Sequence, residues 1–208
     1  MPETSPNGSQ LLLIHSHYGT PPSLFKLALK RDDAVMIRER DLTSEHFAAA
    51  KGLITTSHID QIGLLAFAED LGALLARGGR WFFNGHILRP LVPGLQTYVP
   101  IQQAKRADLV LARINEHPIY EGIDQPSFEE NRGVAGFYGR GHNPLPTGAR
   151  AINGIGPEKL PIDCEWTVPG GGKMFSHAGN DVGGMEGPNP NHKVVAPRIV
   201  AWTMGELA

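Results

Sequence analysis

The sequence predicts an α/β fold, a doubly wound and mostly parallel sheet with helices on both faces. Three observations predict it. Short continuous apolar runs alternate with helix-period stretches three times in about the first 90 residues. Glycine or proline punctuates the junctions. Polar residues, histidine above all, gather where the apolar runs end. At 208 residues and 41% hydrophobic, the chain supports one sizeable core, so a polar tail over 1–9 and a single domain over 10–208 are expected.

Taken in order, LLLI (Leu11 to Ile14) is a run expected of a strand buried on both faces, and it leads into His15-Ser16-His17-Tyr18-Gly19. Thr20 and Pro21 offer a cap and a first helical position for the helix SLFKLALKR. AVMIRER (Ala34 to Arg40) is a second strand, and Thr43 caps a short helix from Ser44 to Ala50. GLITT is a third strand. The next helix carries Leu64, Leu65, Ala68, Leu71 and Leu75 on one face, and Gly78-Gly79 ends it because a left-handed residue is needed there. RWFF (Arg80 to Phe83) is the fourth strand.

Beyond His86 the helix signal weakens at Pro90 and Pro93. DLVLARI (Asp108 to Ile114) is a strand candidate, followed by a turn in HPIYEGID. The stretch from Pro126 to Pro161 reads mostly as loop, with strand-like pieces near Val134 to Tyr138 and Ala149 to Asn153. Gly170 to Gly172 make a turn, Lys173 to Ser176 a strand ending at His177, and Lys193 to Met204 a closing helix.

Lys and Arg number 19 against 21 Asp and Glu, with no long run of either sign. Neither a nucleic-acid nor a membrane surface is advertised, so a small-molecule ligand is the expected partner, and a homo-oligomer stays open. The single cysteine, Cys164, excludes an internal disulfide and fits a reducing compartment. The N-terminal stretch has no basic segment and too short an apolar run for a signal peptide, and a cytoplasmic protein is expected.

Ligands of open α/β sheets bind beyond the carboxyl ends of the strands. His15, His17, His58, His86 and His177, five of the nine histidines, fall at such ends, accompanied by Asp60, Asn84, Asn180 and Asp181. Each alone reads as a solvated or backbone-bonded histidine; together they outline a shared polar site. Imidazoles there suit acid/base work, a divalent metal, or recognition of hydroxyls and anions. His86 and His177 are the acid/base candidates, with Asp181 orienting one of them. His15, His17, His58, Asn84 and Asn180 are the ligand-binding candidates. If a metal is held, His15 and His17 would present rings on one side of an extended chain, with His58, His86 or His177 adding ligands, although the spacing matches no metal motif. The cofactor is otherwise undetermined.

The strand-four elbow, Phe83-Asn84-Gly85-His86, offers neither Cys nor Ser. Cys164 reads as a small buried residue, Gly170 to Lys173 as a hairpin turn rather than a phosphate loop, and the Glu129-Glu130 pair as a solvated loop that could lend a carboxylate.

The run from Gly52 through Gly78-Gly79 to His86, then His117-Pro118-Ile119 with Gly122, then Trp166, Gly171 to Phe175 and His177, resembles the ThuA-like proteins of the class I glutamine amidotransferase-like superfamily. The resemblance implies a flavodoxin-like fold and makes a sugar-like ligand an expectation. Amidotransferases of the superfamily carry a cysteine at the elbow and a glutamate two residues after the late histidine; Asn84 and Gly179 stand near those places here. Glutaminase activity is therefore not expected. Two readings remain: a protein binding or processing a small polar, sugar-like metabolite, or a non-catalytic binding or assembly module, with a histidine-rich metal-dependent hydrolase as a further alternative.

Overall fold

The computed structural model describes residues 8–131, 134–183 and 190–207. Residues 1–7 of the expected tail lie outside the described residues. In chain order the elements are β1 (Gln10–His15), α1 (Ser23–Ala28), β2 (Ala34–Arg38), α2 (Ser44–Ala49), β3 (Ala50–Thr55), α3 (Gln61–Leu64), α4 (Ala68–Ala76) and β4 (Arg80–Asn84). There follow β5 (Val99–Pro100), β6 (Leu111–Arg113), α5 (Pro126–Glu129), β7 (Glu130–Asn131), β8 (Val134–Ala135), β9 (Gly141–His142), β10 (Arg150–Ile155), β11 (Leu160–Thr167), β12 (Lys173–His177) and α6 (Pro190–Thr203). Among the described residues no helix is long and apolar enough to cross a membrane.

Eight strands form one sheet in the order β2-β1-β3-β4-β12-β11-β10-β6. The five from β2 to β12 are parallel, and β11, β10 and β6 continue antiparallel. The strand-like piece at Ala149 to Asn153 is β10, whereas β11, through LPIDCEW, was not expected as a full strand. Lys159, at φ 51°, and Gly156, at φ 72°, make a tight turn between β10 and β11. A connection that short cannot return the chain for parallel pairing. Gly154 cut the reading of β10 short and Pro161 obscured the start of β11; the two face each other next to a register shift at Asn153 and Gly154. Pro161 lies beyond the stretch of β11 that pairs with β12, so its missing N–H costs no ladder bond on that side.

Period-2 alternation sorts the parallel strands between two cores. Leu11 and Leu13 pack with Phe25 of α1 and Val195, Ile199 and Trp202 of α6; Leu12 and Ile14 pack with Phe47 of α2, Leu64 of α3, and Leu71 and Leu75 of α4. Two helix readings are corrected. The helix α1 begins at Ser23, the first residue of SLFKLALKR, but the residue that leads into it is Pro22, in extended backbone at ψ 155°, and not Thr20 or Pro21. A 3-10 turn over Leu65–Phe67 separates α3 from α4, which turns Leu65 outward and brings Leu74 inward. Thr43 starts α2 as expected, with its backbone N–H donating to His46 Nδ1 at 3.0 Å.

Candidate functional site

The carboxyl ends of the parallel strands place His15, Arg38, Thr55, Asn84 and His177 along one edge, His15 opposite Arg38 and Asn84 opposite His177 in register. Three groupings form beyond it.

The first is a cleft of about 310 Å³ lined by His15, Ser16, Tyr18, Arg38, Glu39, Arg40 and Asp60. Arg38 is fixed by donating from Nη2 to the His17 carbonyl at 2.8 Å and by lying 4.7 Å from the centre of the Tyr18 ring. Burial, then the neighbouring His17 and Arg38 charges, lowers the pKa of His15, and its Nδ1 accepts the His17 N–H at 3.2 Å. Burial and the nearby carboxylates of Asp60 and Asp41 raise the pKa of Glu39. Asp60 caps α3 by accepting the N–H groups of Ile62 and Gly63, at 2.9 and 3.2 Å. Arg38 and Glu39 were not among the sequence candidates. Their signal was positional: Arg38 ends β2 as His15 ends β1.

The second grouping is His17, His58 and Asp181, each offering one ligand-capable atom, all within 4.8 Å of one another. Asp181 arrives on the segment after β12, and its Oδ1 accepts the Ser57 N–H at 2.8 Å. Ser57 Oγ is 2.9 Å from Nδ1 of the exposed His58. His17 Nε2 is buried with no hydrogen-bond partner. The grouping differs from the expected metal set. His15 Nδ1 is occupied by the His17 N–H, and neither His86 nor His177 takes part.

The third grouping is sealed. His177 and Asp163 are both 0% exposed, with Nδ1 and Oδ1 2.6 Å apart. The other Asp163 oxygen accepts from Tyr138 Oη at 2.6 Å and Asn153 Nδ2 at 2.5 Å, and Tyr138 bonds Tyr120 Oη at 2.9 Å. Burial, then the Asp163 charge, pushes both phenols well above their ordinary range. His177 Nε2 is buried without a partner. A Cβ added at Gly179 would stand 2.8 Å from it, so the ring lies directly beneath that glycine. The acid that orients His177 is therefore Asp163, which corrects the expectation of Asp181. An acid inside the apolar run LPIDCEW was the available signal, since a buried carboxylate must find donors.

His86 is an exposed residue, but one face of its ring is covered by Tyr98, stacked at 3.7 Å, and this partial desolvation, then His177, lowers its pKa. Asn84 is buried, with Oδ1 3.4 Å from the Val182 N–H, and Asn180 donates to the Phe137 carbonyl at 2.6 Å. The elbow closes through Gly85, at φ 121°, whose N–H donates to the His177 carbonyl at 2.7 Å. Glu129 does not reach the site, because its Oε1 accepts the Leu111 N–H at 3.1 Å.

No family model and no curated protein matches the sequence. Among solved structures the fold is similar to the mmIFT52 N-terminal domain, with a TM-score of 0.58 and 16% identity over 93% of this chain and 97% of that one. That likeness shows the fold alone. It corrects the resemblance to the ThuA-like proteins, which neither a family model nor a curated relative supports, and the carbohydrate association falls with it. The pieces that suggested it, a glycine after a helix, a polar strand end and a glycine turn before a strand, are what any sheet of this construction needs.

Proposed function

We propose that this chain is a binding protein for a small polar metabolite carrying an anionic group, taken up in the cleft between the ends of β1 and β2. The observation that carries the reading is the cleft's lining: a guanidinium held in place at Arg38, a buried His15 and the hydroxyl of Ser16 converge where an open sheet binds its ligands. The order β2-β1-β3-β4 supports reading the sheet as flavodoxin-like and doubly wound, a construction whose ligands lie beyond the carboxyl ends of the strands, where this cleft opens beside β1. By contrast, in the hollow at Lys51, Arg77, Gly78 and Gly79 the Arg77 guanidinium is already engaged by the carbonyls of Phe47 and Ala50.

The sealed His177 supports binding rather than acid/base catalysis, since its free nitrogen meets no solvent. Glutaminase chemistry is no part of the reading. The elbow carries Asn84, and burial, then the Asp163 charge, pushes the Cys164 thiol up to about 12.

A thermal-shift screen of sugar phosphates, hydroxy acids and nucleotides, followed by calorimetry of any hit, tests the proposal. Replacement Arg38→Gln should weaken the hit about 30-fold, from the loss of a charge-assisted hydrogen bond, while Lys51→Ala at the opposite edge leaves it unchanged. A hit insensitive to Arg38→Gln contradicts the reading.

A further inference from the structure

His17, His58 and Asp181 reach one point from three separate segments, those following β1, β3 and β12. Two imidazole nitrogens and one carboxylate oxygen are the donor set of an open zinc site, which leaves one coordination position for water or ligand. The same set suits other divalent first-row ions.

Two further observations point to an ion. His17 Nε2 is buried and unpaired, an arrangement that costs free energy unless something accepts its lone pair or its proton. One polar atom of each of the other two residues is already held, both by a single neighbour. Ser57 donates its N–H to Asp181 Oδ1 and holds His58 Nδ1 with its hydroxyl, at 2.8 and 2.9 Å. A His58 tautomer that donates from Nδ1 to Ser57 presents the Nε2 lone pair for coordination. Ser57 is itself locked against the elbow, since a Cβ at Gly85 would stand 2.7 Å from Ser57 Cα. His17 is fixed on both sides of its backbone, its N–H by His15 and its carbonyl by Arg38.

We propose that His17, His58 and Asp181 bind one divalent first-row transition metal ion, with Ser57 positioning two of the three ligands. Bonds of about 2.0–2.2 Å place the donors of a tetrahedral site about 3.4 Å apart. Donors already within 4.8 Å close to that spacing by side-chain rotation, for which exposed His58 has room. The site borders the cleft, because His17 lies between the cleft residues Ser16 and Tyr18. It stands on different side chains from the ligand proposal and is tested without any metabolite.

The test is calorimetric titration of the untagged, EDTA-stripped protein with zinc chloride. The expected result is one ion per chain. His58→Ala and Asp181→Asn should each weaken binding about 100-fold or more, and Ser57→Ala about tenfold, since it spares the backbone N–H to Asp181. His58 is exposed, so its replacement leaves the fold intact by circular dichroism and decides the matter even if Asp181→Asn does not fold. Absence of saturable zinc binding, or one equivalent bound equally well by wild type and His58→Ala, overturns the proposal.

Discussion

Asp163 Oδ1 and His177 Nδ1 lie 2.6 Å apart with neither side chain exposed, and this pair joins the parallel half of the sheet to its antiparallel half. Asp163 stands on β11 directly opposite His177 on β12 and also takes donors from Tyr138 and Asn153. Replacement Asp163→Asn puts an amide donor against other donors. Its expected cost is about 3 kcal/mol, the scale of breaking a buried pair, read from urea unfolding. A change under about 1 kcal/mol would show the network to be dispensable.

Glu165 gives stability a defined acid limb. Burial opposes its charge, but the His117 hydrogen bond, the Lys173 and His117 charges and the Trp202 N–H outweigh it and hold the carboxyl at about 2. A folded pKa below the unfolded one means that the contribution is present above about 4.5 and is lost as pH falls toward 2. Its size is on the order of 3 kcal/mol. Glu165→Gln should be less stable at neutral pH and should flatten the fall between those values, measured by urea melts at stepped pH.

The two glycines that bracket β4 should respond differently to alanine. Gly78, at φ 88°, has open space around an added Cβ, so Gly78→Ala should cost about 1 kcal/mol. Gly85, at φ 121°, would drive its Cβ into Ser57, so Gly85→Ala should cost about 2 kcal/mol or more. Equal melting temperatures for the two variants would contradict the elbow contact.

Cys164 should resist thiol reagents. Its thiol is buried mid-strand and pushed up to about 12, so Ellman's reagent should label the native protein far more slowly than the urea-unfolded one. Comparable rates would contradict the burial.

The parallel half was legible because its signals are local. Leu11 to Ile14 and Leu53 to Ile54 are continuous apolar runs, and Gly78 marks its helix end by backbone requirement alone. Of the antiparallel half, β6 and most of β10 were read as strand candidates, and β11 was obscured by Pro161 at its start, opposite Gly154 and next to a register shift at Asn153 and Gly154. Within the candidate site, the strand-end histidines could be placed on the correct edge, but their partners could not. Which acid reaches His177 depends on the register of β11 against β12: the hairpin turn at Gly170 to Gly172 was read but not the strand before it, and Asp181, close to His177 in sequence, is instead held by Ser57. Arg38 needed the β1–β2 register to be seen as a neighbour of His15.

Anomalous scattering at the zinc edge from crystals of the zinc-loaded protein decides whether the proposed functional chemistry lies at the carboxyl edge around β1. The expected result is one strong peak about 2.0–2.2 Å from donor atoms of His17, His58 and Asp181. A peak elsewhere, or no peak in crystals grown with zinc, would contradict it.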